Sequence, residues 1–167
     1  IMSRVLVTYA TTYGSTREVA EAVAATLQEC GLNVDVEAMP RVSSLEAYDT
    51  VIVGVPIYAH HLHKEAQQFL TAQRDALAAR KVAMFALGPI MLDTKDAWAG
   101  ARKQLDQELT HYPGLHLIAL EMFGGKFDPK ILHFPEKLFM GMFGPSDLRN
   151  WEAIKVWTQG LPEKLGI

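Results

Sequence analysis

The sequence predicts a doubly wound α/β fold, a five-stranded parallel sheet in the order 2-1-3-4-5 with helices on both faces. Three observations carry this. Short apolar, β-branched runs recur along the 167 residues, at 4–10, 33–38, 50–55, 82–87 and 115–122. Stretches with apolar residues at helical spacing separate most of them. Strands alternating with helices call for right-handed βαβ crossovers, which place helices on both faces of a mostly parallel sheet. A chain of this length buries roughly 70% of its unfolded surface. One domain over 1–167 is therefore expected, with no linker, repeat or low-complexity stretch.

Each element has its own signature. The first strand, Arg4-Val5-Leu6-Val7-Thr8-Tyr9-Ala10, leads through a polar loop into a helix that turns Val19, Val23 and Leu27 inward. Cys30, near the end of that helix, reads as a small buried hydrophobe. The runs at 33–38 and 50–55 supply the second and third strands. Ala66, Phe69, Leu70 and Leu77 mark the next helix, 82–87 the fourth strand, and Ala97, Ala101, Leu105 and Leu109 the helix after it. The fifth strand covers 115–122. A last helix is expected to start near Ser146 and carry Trp151, Ile154, Trp157 and Leu161 inward.

Composition excludes several function classes. Hydrophobic residues make up 49% and charged residues 21%, the balance of a globular chain rather than a disordered one. A net charge of −3 and a pI near 6.1, with no Lys/Arg cluster, give no field for gathering nucleic acid. Cys30 is the single cysteine, so intramolecular disulfides are impossible and a reducing, cytoplasmic setting is expected. The chain opens directly into a strand-like run without a signal-peptide h-region, and no stretch reaches the roughly 18 apolar residues of a membrane span.

In the predicted strand order, ligands bind outside the strand C-termini where the order reverses, next to the first strand. There the sequence reads Thr11-Thr12-Tyr13-Gly14-Ser15-Thr16-Arg17-Glu18. Hydroxyls and one glycine opening a helix suit an anion, because free backbone N–H groups and the helix N-terminus carry partial positive charge. A dinucleotide fingerprint needs G-x-G-x-x-G to admit a bridging pyrophosphate, and only Gly14 is present. A terminal phosphate of a mononucleotide is the better match. A second reading stays open, in which Ser15-Thr16-Arg17-Glu18 is a capping box that opens the helix and nothing more.

The loop resembles the phosphate loop of flavodoxin-type proteins, whose pattern is hydroxyl-x-Thr-Gly-x-Thr, with one residue extra here. Further similarity runs through Val53-Gly54-Val55-Pro56-Ile57-Tyr58 into His63-Lys64-Glu65 and Phe69, and through Phe123-Gly124-Gly125 with Asp147-Leu148-Arg149-Asn150-Trp151-Glu152-Ala153-Ile154. Together these resemble the flavodoxin-domain family that includes the menaquinone-dependent protoporphyrinogen dehydrogenases. The resemblance implies FMN as cofactor, its phosphate held by Thr11, Thr12, Tyr13, Gly14, Ser15 and Thr16. It also places the ring over the ends of the third and fourth strands, at Pro56, Ile57, Tyr58, Ala59 and His60 and at Gly88, Pro89 and Ile90. Tyr58 suits stacking on the ring. His60 or His61 suits the negative charge that develops near N1 on flavin reduction. The cluster His60-His61-x-His63 also has a metal reading, but neither carboxylate nor cysteine completes a ligand set. His111, His116 and His133 read as surface or satisfied residues.

No Ser/His/Asp order, carboxylate pair or zinc spacing is visible, so the chemistry belongs to the cofactor. Two functions of different class stand. One is an FMN oxidoreductase that oxidises a small molecule, a porphyrinogen by resemblance, and passes electrons to a quinone. The other is a carrier that shuttles electrons between redox proteins, against which the mild charge weighs, since carriers dock by strong steering fields. Family members with the dehydrogenase activity carry a basic, aromatic segment after Phe-Gly-Gly, whereas 126–143 here has only Lys126, Lys130 and Lys137. That stretch holds Ile131, Leu132, Phe134, Leu138, Phe139, Met140, Met142 and Phe143 among few charges. Two roles are open for it: peripheral contact with a membrane or bulky apolar partner near the flavin, or cover for the sheet or a homodimer seam.

Overall fold

The computed structural model describes residues 3–58, 61–131 and 144–167. Strands β1 (Arg4–Tyr9), β2 (Asn33–Ala38), β3 (Thr50–Tyr58), β5 (Lys81–Leu87) and β6 (Leu117–Phe123) form a parallel sheet in the order β2-β1-β3-β5-β6. With the short hairpin strand β4 (His61–Leu62) left aside, this is the predicted 2-1-3-4-5 order. Strands β7 (Lys126–Phe127) and β8 (Ser146–Asp147) make a separate antiparallel pair. The helices are α1 (Ser15–Glu29), α2 (Lys64–Ala72), α3 (Arg74–Ala78), α4 (Lys95–Leu109) and α5 (Trp151–Leu165).

The pleat of β1 sorts the core into two layers. Val5, Val7 and Tyr9 face one side with Val19, Val23 and Leu27 of α1 and with Ile154, Trp157 and Leu161 of α5. Leu6 and Ala10 face the other, with Phe69 and Leu70 of α2, Leu77 of α3 and Leu105 of α4. Both sheet faces are covered, which is why β1, β3 and β5 read as unbroken apolar runs rather than alternating ones. The Trp157 ring meets Phe85 edge-on at 6.3 Å and Phe123 at 5.7 Å, tying α5 to the ends of β5 and β6.

Four expectations are corrected. Cys30 is exposed, because it is the C-cap residue of α1 and lies beyond the last turn that faces the sheet. The final helix starts at Trp151, not near Ser146. Asn150 caps it, accepting from the Ala153 N–H at 3.0 Å, while Ser146 and Asp147 pair with Phe127 and Lys126. Trp151 is 43% exposed, since as first residue of α5 it lies outside the inward stripe that starts at Ile154. The stretch from Ala66 to Leu77 is two helices rather than one, broken at Gln73. His111 and His116 are exposed, as expected, and His133 lies outside the described residues. Of the apolar stretch at 126–143, residues 132–143 also lie outside them. Phe127, at its start, is buried.

Candidate functional site

Parallel strands bring the C-termini of β1, β3, β5 and β6 to one edge of the sheet, and those predicted site residues that are among the described ones follow them there. After β1, Ala10 is buried and donates to Gly54 O at 3.0 Å, so the loop springs from the centre of the sheet. The turn closes when Gly14 N–H donates to Thr11 Oγ1 at 2.9 Å. Gly14 then starts α1 with φ +92°, a conformation that costs a side-chain-bearing residue energy. The first intrahelical bond of the loop runs from Glu18 N–H to Gly14 O at 3.1 Å. Among the described residues no side chain caps α1. Ser15 lies inside the helix rather than at its cap, and Glu18 turns away to Arg149, so the capping-box geometry is not formed. The N–H groups of Ser15, Thr16 and Arg17 precede the first intrahelical bond, and the macrodipole adds partial positive charge. Within the same turn, the buried Oγ1 of Thr16 has no hydrogen-bond partner among the described residues. Such a group fits an anion bound in front of the helix.

The second group sits on a longer strand than expected. β3 continues to Tyr58, so Pro56, Ile57 and Tyr58 are strand residues. Pro56 is level with Leu87 of β5, and Ile57 and Tyr58 fold back onto Leu62 and His61. Ala59 and His60 lie outside the described residues. Immediately after the hairpin, His63 caps α2, its Nδ1 accepting the Glu65 N–H at 3.1 Å. Its Nε2 stands 2.9 Å from Thr12 Oγ1, so the first and second loops are joined side chain to side chain. His61 lies 3.7 Å from Glu108 of α4, whose other carboxylate oxygen accepts the Leu62 N–H at 3.1 Å.

Gly88, Pro89 and Ile90 leave β5 zipped to the end of β6. Gly88 N–H donates to Phe123 O at 2.7 Å, Gly125 N–H to Pro89 O at 2.8 Å, and the Ser146 hydroxyl to Ile90 O. Gly124 admits this crossing, because a Cβ there would stand 2.2 Å from the Leu148 carbonyl oxygen. Beyond that wall, a cavity of about 440 Å³ lies between α4 and α5, floored by Phe123 and Trp157 and rimmed by Asp93, Glu121 and Asn150. It is not part of the predicted loops.

Arg149 closes the ring of loops from the far end of the chain. Its Nε and Nη2 form a bidentate pair with Asp147 at 2.9 and 2.8 Å, and Nη1 reaches Glu18 Oε2 at 2.8 Å and Ser15 O at 3.4 Å. The guanidinium lies 4.7 Å over the Trp151 ring, with its side chain 3% exposed. Its hydrogen bonds hold the Asp147 carboxyl below the usual carboxylate range, with burial working against them. The bond to Asp147 likewise raises the Arg149 pKa, against burial and with help from Glu18. Reading the sequence for hydroxyls and glycines does not single out His63 or Arg149 as links between loops. The signal for Arg149 is the run Asp147-Leu148-Arg149, an acid two residues before a base in a loop otherwise poor in charge.

The flavodoxin domain family matches residues 6–145, and the chain belongs to it. Protoporphyrinogen IX dehydrogenase [quinone] of Escherichia coli K12 is 30% identical over 86 residues, 50% of this chain and 48% of the relative. The match thus spans about half the length of that relative. Oxidised flavodoxin 1 of Bacillus cereus shares the fold at TM-score 0.60 and 17% identity, covering 96% of this chain and 98% of that one. Oxidised flavodoxin 2 of Bacillus cereus does so at TM-score 0.60 and 21% identity, covering 97% and 99%. Among the described residues no helix is long and apolar enough to cross a membrane.

Proposed function

We propose that this chain binds FMN at the sheet edge and works as a flavin-dependent oxidoreductase, oxidising a small molecule of the protoporphyrinogen class and delivering electrons to a quinone. The observation that carries FMN binding is the N-terminus of α1, where no described side chain caps the helix, Gly14 has φ +92° and the buried Thr16 hydroxyl is without a partner among the described residues. The set fits a phosphate ester. Thr12 and Thr16 supply hydroxyl donors, the first turn of α1 supplies N–H groups, and Thr11 shapes the turn by accepting from Gly14. Pro56, Ile57 and Tyr58 on one side and Gly88, Pro89 and Ile90 on the other would flank the ring. Bound flavin supplies the redox chemistry, accepting and releasing electrons one or two at a time.

The chain's own residues position and exclude. The backbone bonds between Gly88–Ile90 and Phe123–Gly125 hold the second ring loop in one place, which limits the reorganisation that electron transfer must overcome. The partial match to the quinone-linked Escherichia coli dehydrogenase supports the substrate class and acceptor. Titration with FMN and with riboflavin, followed by flavin fluorescence, tests the cofactor: one FMN per chain and at least tenfold weaker riboflavin binding are expected, and equal binding overturns it. Loaded protein mixed with protoporphyrinogen and a menaquinone analogue should then develop porphyrin fluorescence well above the blank. Electron exchange with a ferredoxin-type reductase, with no porphyrin formed, would instead make the chain a carrier between redox proteins.

A further inference from the structure

We propose that His63 is a positioning residue for phosphate recognition: it fixes the direction in which the Thr12 hydroxyl donates. The inference rests on the reading that a flavin phosphate occupies the loop after β1. The imidazole has two nitrogens with separate duties. Nδ1 faces the Glu65 N–H at 3.1 Å, so it must carry the lone pair. The proton therefore sits on Nε2, which stands 2.9 Å from Thr12 Oγ1. With Nε2–H as donor, that oxygen is the acceptor in this bond, and the Thr12 hydroxyl proton has to point elsewhere.

Direction is what the arrangement supplies. A threonine hydroxyl has one proton and rotates to suit its neighbours. On an exposed loop residue such as Thr12, that freedom would be lost when an anion bound. Donation from His63 removes the competing orientation beforehand and leaves the hydroxyl proton available for an anion held by the loop. The cap of α2 sets the tautomer, the tautomer sets the polarity of the bond to Thr12, and Thr12 meets the anion. The imidazole thus couples the loop that would hold the phosphate to the hairpin that would hold one side of the flavin ring system.

Two substitutions separate this role from plain helix capping, because each replaces one nitrogen. Asparagine places a polar atom where Nδ1 stands and can still cap α2, but falls short of Thr12. Glutamine places an amide nitrogen near Nε2 and can still donate to Thr12, but caps poorly. The readouts are the ratio of riboflavin to FMN dissociation constants and the melting temperature of the ligand-free protein. His63→Asn should keep the melting temperature and cut the FMN preference by about fivefold, the worth of one hydrogen bond. His63→Gln should keep the preference and lower the melting temperature. In a Thr12→Val background, His63→Asn should leave the ratio unchanged. An unaltered ratio in His63→Asn, with the wild type still preferring FMN, overturns the proposal and leaves the phosphate reading standing. A wild type without FMN preference overturns the phosphate reading itself.

Discussion

Arg149 and Glu18, 131 residues apart in the chain, meet at 2.8 Å beside the first turn of α1. Because the same guanidinium forks onto Asp147 and lies over Trp151, the entry to α5 is anchored to the start of α1 by a single side chain. Both carboxylates are about half exposed, so solvent screening takes part of the gain. Replacing Arg149 with Ala should cost about 1–2 kcal/mol in urea unfolding. Lysine should recover less than half of this, because a point charge cannot make the bidentate pair. Full recovery by lysine would show that charge alone is at work.

Gly54 and Phe85 face one another across β3 and β5, and a Cβ on Gly54 would stand 2.2 Å from the Phe85 ring. Phe85 is fully buried and wedged against Trp157, so it cannot retreat. Gly54→Ala should therefore destabilise by about 3 kcal/mol or more. Phe85→Leu in the same chain should make the double variant better than the sum of the two singles by about 1 kcal/mol or more. Additive losses would mean that the strand, not the ring, objects to the methyl group.

At Gly14 the opposite holds: nothing lies within 4 Å of the place a Cβ would take, while φ is +92°. The cost of Gly14→Ala is then purely conformational, about 1 kcal/mol. Asn, which tolerates this region better, should cost less. An Asn variant as unstable as the Ala one in the same chemical melt would contradict that account.

The sheet order and the turn that opens α1 are legible because both rest on local pattern. Five apolar runs and the Thr-rich turn with Gly14 each declare themselves within about ten residues. What stays hidden depends on specific pairings and caps that propensity does not record. That β3 runs on to Tyr58 follows from its pairing with Leu87 of β5 and with His61 of the hairpin, which no propensity records. The pattern S-x-x-E at Ser15 reads as a capping box, yet Arg149 claims Glu18 from the other end of the chain. Helix spacing puts Trp151 on the inward stripe, but the helix begins at that residue, and Asn150, not Ser146, makes the cap.

Acid should weaken the protein through two carboxyls. The Asp147 pKa is lowered by its hydrogen bonds from Arg149, and that of Asp35 by hydrogen bonds from the Tyr48 hydroxyl and then from Arg4, with burial opposing both. A carboxyl with a depressed folded pKa adds stability that is present above its unfolded value of about 3.9 and is lost as pH falls through the folded value. The stability gap between wild type and Asp147→Asn should thus be flat above about pH 6 and narrow below about pH 4. Asp35→Asn should behave alike. Urea melts across that range check it, and a gap that widens in acid would reverse the assigned direction.

Thr16 offers the sharpest test of whether the first turn of α1 is built for a ligand. Its hydroxyl is buried and unpartnered among the described residues, which in a purely structural position costs about 1–3 kcal/mol with nothing in return. Thr16→Val keeps the shape and the β-branch and removes the oxygen. If the hydroxyl is held for a phosphate, the variant should be more stable than wild type without ligand, by about 1 kcal/mol, and should bind FMN about tenfold more weakly. Riboflavin, which lacks the phosphate, should bind both proteins equally. Because the two effects have opposite sign, added FMN should raise the melting temperature of wild type more than that of the variant and shrink or invert the difference between them. A variant that is less stable without ligand, and that binds FMN as tightly as wild type, would show instead that the hydroxyl serves the helix and not the cofactor.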